Sequence, residues 1–177
     1  MDNILNNPNL IIEMLFEEVA RVYRKITYSL DDSLIFEWGT DYSVEEETNT
    51  ITIPLIESEQ GQKDFSNSVM KILETKENKT ELEKIDILMY SLYHEIGHLK
   101  SEQGDFISKV GRKIANTSNK IGLKKLSRLI YYNLPEERNA TQWACDYISN
   151  HYNKILESQE ELKEAFNKFY KDLHLID

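Results

Sequence analysis

Apolar positions recur every three or four residues along most of this chain. After Asn7-Pro8, a cap and a first-turn proline, Leu10, Ile11, Met14, Leu15, Val19, Val22 and Ile26 share one stripe, which predicts an amphipathic helix over residues 8–28. The period then changes. Ser33 to Trp38 is rich in branched and aromatic residues, and Thr50-Ile51-Thr52-Ile53-Pro54-Leu55-Ile56 alternates. These read as two partnered strands with Glu45 to Asn49 in the turn; Pro54 lacks a ladder donor, so the second strand is expected at a sheet edge or ending there. Helical spacing returns with Phe65, Val69, Ile72 and Leu73. Thr80-Glu81-Leu82-Glu83 has the form of a capping box and predicts one helix carrying Leu82, Ile85, Met89, Leu92, Ile96 and Leu99, ending near Gly104. Two further helical segments carry Phe106, Ile107, Val110 and Ile114, then Leu123, Leu126, Leu129 and Ile130. Pro135 starts a helix expected to reach Leu156, and Ser158-Gln159-Glu160-Glu161 caps a last one. The pattern predicts a mostly helical α+β fold with one small sheet near the N-terminus.

Length and composition narrow this further. With 177 residues, six Gly, three Pro and 40% hydrophobic residues, the chain is expected to form a single domain over 1–177 without a staple. Its one cysteine, Cys145, excludes an internal disulfide and suits a reducing compartment. The first twenty residues carry four acids and no basic run, so no signal peptide is read there, and no apolar run is long enough to cross a bilayer. A soluble cytoplasmic protein is expected. The net charge of −10 opposes nucleic acid and anionic lipid as partners, so neither direct nucleic-acid binding nor membrane binding is expected. The charge is uneven, however. From Asp105 to Tyr132 seven basic side chains stand against one acid, so this segment is +6 and the remainder −16. It reads as a basic helical insertion over about 105–132, either a solvated face paired with the acidic remainder or a docking surface for an acidic partner.

The chemistry lies in His94-Glu95-Ile96-Gly97-His98. Residues four apart on a helix share a face, so His94 and His98 can direct their imidazoles at one zinc ion. Glu95 stands about 100° round the helix from His94, close enough to act on a metal-held water as general base without ligating. A catalytic zinc needs a third protein ligand. Glu102, His151 and His174 are available, as is Glu137 in Pro135-Glu136-Glu137-Arg138-Asn139-Ala140-Thr141-Gln142-Trp143-Ala144. There Ala140, one turn after Glu137, would let a second helix approach the first closely.

HEIGH followed by a helix of the form E-x-x-A-x-x-(aromatic)-A resembles the ImmA/IrrE family of zinc metallopeptidases. The resemblance spans residues 8–150 in layout, and its two motifs are its specific part. It implies a zincin-like fold with His94, His98 and Glu137 as zinc ligands and Glu95 as catalytic base. Two positions depart from the family pattern. Thr141 replaces an Asn or Asp that orients a ligand histidine, where a hydroxyl can still accept the bond at shorter reach. Trp143 replaces a Phe. No helix-turn-helix module of the kind some relatives carry is recognisable.

The resemblance implies a zinc-dependent endopeptidase acting on a specific protein, by analogy a helix-turn-helix repressor of a phage, mobile element or stress response. An extended substrate could add as a strand at the edge near Thr50 to Ile53. Tyr131, Tyr132 and Tyr147 are considered as oxyanion donors without a choice among them. The alternative is a zinc-binding anti-repressor or adaptor that acts by protein binding alone.

Overall fold

Twenty helical residues, Pro8–Thr27, form α1, and its apolar stripe turns Phe16, Val19, Tyr23 and Ile26 into the interior. Met14, expected on that stripe, is exposed instead. The computed structural model describes residues 8–40, 42–54, 59–100 and 106–174. It is mostly helical with one three-stranded sheet, an α+β arrangement as the sequence pattern predicts. The chain divides into two compact units, Met1–Ile56 with Asn153–Asp177, and Glu57–Tyr152.

In the first unit the strands are β1 (Ile35–Gly39), β2 (Ser43–Glu45) and β3 (Thr50–Pro54), in the order β1-β3-β2. The parallel β1–β3 pairing runs from Ile35 opposite Thr50 to Gly39 opposite Pro54. β2 pairs antiparallel with β3, from Ser43 opposite Thr52 to Glu45 opposite Thr50. β3 is therefore the central strand, and over Thr50–Thr52 both of its sides are taken. This corrects the expected free edge there and removes it as a place for an added strand. Pro54 is tolerated because it closes β3, where a missing donor interrupts no inner bond. Leu55 and Ile56, expected in the same strand, lie outside the described residues. Asn49 holds a left-handed φ of 52° in the turn before β3, and its amide donates to Ser33 Oγ at 2.9 Å. Trp38, half-buried, is the fourth residue of β1. Tyr23 of α1 stacks on Phe36 of β1 with ring centroids 5.2 Å apart.

The second unit carries α2 (Glu59–Leu73), α3 (Lys79–Leu82), α4 (Ile87–Lys100), α5 (Phe106–Lys120), α6 (Lys124–Tyr131) and α7 (Pro135–Asn150). The helix expected to run unbroken from the Thr80 box is two helices. Thr80 falls inside α3, and Asp86 starts α4 by accepting Leu88 N–H on Oδ1 at 3.1 Å. Tyr90 closes the break by donating its hydroxyl to Leu82 O at 3.0 Å. Residues Met89 to Gly97 of α4 are all buried, so this helix is a core element and not the one-sided amphipathic helix its stripe suggested. α5 ends in a Schellman turn: Gly122 takes φ 84°, its N–H bonds Asn119 O, and Leu123 N–H bonds Ser118 O. α7 stops at Asn150, earlier than the expected Leu156, with His151 breaking the helix at φ −125°. α8 (Tyr152–His174) belongs, from Asn153 on, to the first unit. It runs through the Ser158 box without a new start, since Ser158 Oγ bonds back to Lys154 O at 2.9 Å.

Candidate metal centre

Two helices build the site. α4 supplies His94, Glu95 and His98, and the first turn of α7 supplies Glu137, where the helix dipole favours a carboxylate. They approach closely because neither has a bulky side chain at the crossing. A Cβ on Gly97 would stand 2.7 Å from Ala140 O and 3.0 Å from Ala140 Cα. Glycine at 97 is thus a spacing device.

The structure brings His94, His98 and Glu137 together as a group that could hold a metal ion. His94 Nε2 and His98 Nε2 are 3.1 Å apart, and Glu137 Oε2 lies 3.3 Å from the first and 3.6 Å from the second. His94 and Glu137 are buried at 6% and 2% exposure, while His98 is half-buried. Burial resists charge on Glu137, but hydrogen bonds from both histidines outweigh it and hold its carboxyl down at about 2. For His98, burial works against the charged ring and the bond to Glu137 prevails, raising its pKa.

The other ring nitrogen of His94 explains its orientation. His94 Nδ1 lies 3.0 Å from Thr141 Oγ1, and that hydroxyl donates its single hydrogen to Glu137 O at 2.7 Å. Thr141 can then only accept from His94, which places a ring proton on Nδ1, so that the neutral ring, the form that ligates a metal, turns its Nε2 lone pair to the cluster. Threonine reaches far enough because α4 and α7 are so close. Phe65 of α2 meets the His94 ring edge-on at 5.1 Å and fixes it from another side.

Glu95 is buried beside the cluster, and desolvation pushes its carboxyl above the ordinary range against the opposing pull of His94 and His98. Of the three tyrosines, Tyr131 is joined to the site: its hydroxyl bonds the Glu137 carboxylate, and although the residue as a whole is 41% exposed, the enclosure of that hydroxyl and then the carboxylate raise its pKa. Spacing gave no sign of this, because the turn between α6 and the α7 proline sets where the phenol falls. Tyr147 is stacked between Trp143 at 5.2 Å and His151 at 4.1 Å. His151, a candidate third ligand, lies at the far end of α7 with Nδ1 on Tyr147 O, outside the cluster. Glu102, another candidate, falls outside the described residues, and His174 closes α8. Arg112 of α5 pairs with Glu136, the neighbour of the clustered Glu137.

No protein-family profile, curated protein or solved structure matches this chain.

Proposed function

We propose that this chain is a zinc-dependent endopeptidase of the zincin-like kind, with His94, His98 and Glu137 as zinc ligands and Glu95 as general base. The observation that carries the reading is the spacing of the three ligand atoms, 3.1, 3.3 and 3.6 Å. Ligands bonded at about 2.0–2.1 Å to a tetrahedral ion stand about 3.3–3.4 Å apart. Two imidazoles with one carboxylate are the donor set of hydrolytic zinc sites, which keep a fourth position for water or substrate. The HEIGH and E-x-x-A resemblance to the ImmA/IrrE family points the same way.

A zinc ion bound there supplies Lewis acidity, acidifying a water toward neutral pH and polarising a peptide carbonyl. The chain does the rest. Glu95, desolvated and adjacent to a ligand, accepts the proton of the attacking water and returns it to the leaving amine. Thr141 holds His94 in the ligating tautomer, and Tyr131 would donate to the carbonyl oxygen by transferring its single hydrogen bond from the Glu137 carboxylate. By the same resemblance the substrate is a helix-turn-helix repressor.

The test is zinc content by elemental analysis of protein purified without chelator, followed by incubation with the repressor encoded nearest its gene. The wild type is expected to hold about one zinc per chain. Glu137→Ala should lose it, and Glu95→Gln should keep zinc while losing cleavage. A wild type that stays empty after zinc is supplied overturns the reading. Retained biological effect in Glu95→Gln transfers the role to binding without hydrolysis.

A further inference from the structure

We propose that the outer face of the α5–α6 hairpin is a docking surface for an acidic amphipathic helix of a partner protein. Eight of the eleven large hydrophobic side chains exposed among the described residues lie on this one hairpin. Ile107, Val110 and Ile114 of α5 and Leu123, Leu126 and Leu129 beside and along α6 are each 40–62% exposed. Ordinary surface helices turn their large apolar residues inward. α5 does the reverse. From Ile107 on, its buried positions are Ser108, Ala115 and Ser118, Gly111 seats Leu134, and the branched side chains point out. A patch of this kind on a soluble surface marks a binding site.

Charge selects the occupant. Arg112 and Arg128 are committed to Glu136 and Asp64. The hairpin's five lysines, Lys109, Lys113, Lys120, Lys124 and Lys125, are exposed and form no salt bridge among the described residues. Among the described residues these five lysines, unlike the two arginines, are therefore not paired with the acidic remainder of the chain. An apolar stripe flanked by open lysines fits a helix with leucine-like residues on one side and carboxylates along its margins. A symmetric contact between two copies would set the same lysines against each other. An anionic bilayer would attract the +6 hairpin but meet a remainder of −16. The same hairpin reaches the metal cluster through Tyr131 and Arg112, so a bound partner is held next to that cluster.

The claim concerns binding and stands or falls separately from hydrolysis. The probe is a fluorescein-labelled peptide of about 18 residues, five helical turns, with Leu on one face and Glu elsewhere. Controls are a scrambled peptide of the same composition and a version with Lys in place of Glu. Anisotropy titrations with the full chain are expected to show saturable binding of the acidic amphipathic peptide below roughly 100 μM, weakening as salt rises. The scrambled and basic peptides should bind at least about tenfold more weakly. Ile114→Asp with Leu126→Asp should lose binding by a similar factor with an unchanged thermal melt, and Lys113→Glu with Lys120→Glu should shift preference toward the basic peptide. No saturable binding, equal binding of the scrambled peptide, or undiminished binding in the double Asp variant overturns the proposal. So does sedimentation with phosphatidylserine vesicles that the Asp variant loses, which assigns the face to a membrane. A wild-type dimer that the same variant disperses assigns it to a second copy.

Discussion

Thr141 shows how much depends on one hydroxyl. It has a single hydrogen, which goes to Glu137 O, so its oxygen faces the His94 Nδ1–H as an acceptor. Thr141→Val keeps the shape and removes the acceptor. We expect zinc affinity to fall about 10–100-fold, the usual effect of losing an outer partner of a ligand histidine. Thr141→Ser should retain most of it. Competition with a chromophoric chelator measures both, and equal affinity in Val and wild type would mean the ring is held by packing against Phe65 alone. The grouping of His94 with His98 was legible in the sequence. The four-residue spacing placed His94 and His98 on one face, while Thr141 was singled out by the family resemblance, as the residue standing where an Asn or Asp orients a ligand histidine. Glu137 was singled out by resemblance and not by spacing. Tyr131 was not resolved, since its position depends on a turn whose geometry no local pattern encodes.

The decisive contact between elements is Gly97 of α4 against the backbone of α7 at Ala140. In Gly97→Ala, two effects oppose each other. Alanine favours the helix by about 1 kcal/mol, whereas overpacking a filled interface costs about 1–3 kcal/mol. Here overpacking wins, because the obstructing atoms are main chain and cannot rotate away. The expected outcome is a lower denaturant midpoint together with weaker zinc binding, as α4 and α7 are forced apart. Ala140→Gly should not rescue it, since the clash is with Ala140 O and Cα. A rescue would show that the side chain, not the backbone, sets the spacing. Element boundaries were less legible than element types. Both capping-box patterns failed for one reason, that a four-residue pattern is matched inside helices as well as at their starts. Thr80 lies within α3 while Asp86 offers the competing cap, and Ser158 bonds back to Lys154 within α8. β2 was missed because three residues, Ser43–Glu45, next to an acidic run carry too little alternation to announce a strand. Its presence is what makes β3 central.

At the scale of the whole molecule, the candidate metal cluster and Cys145 lie in the same unit. Cys145 is fully buried in α7, and burial pushes its thiol up to about 12. Folding thus keeps it neutral where an unfolded chain would ionise it. The folded state binds more protons between the unfolded pKa near 9 and that value, so this residue withdraws stability as pH rises through the window. Near pH 8, a thiol reagent should react only through opening of the unit. Zinc at about a hundred times its dissociation constant should slow that labelling about a hundredfold, because it stabilises the closed form by roughly 2.7 kcal/mol. An unchanged labelling rate with zinc bound would show that Cys145 is reached by a local motion that leaves the cluster intact. The chain also has only two tryptophans, Trp38 in β1 and Trp143 in α7, so each unit holds one indole that can be excited apart from the tyrosines. Trp38→Phe leaves an emission that arises on the helix carrying Glu137, stacked on Tyr147. Trp143→Phe leaves one that arises in the sheet. Intrinsic fluorescence thereby becomes a two-channel optical record, in which the melting of the helices that carry the histidine–glutamate cluster and of the strands can be read separately without any added label.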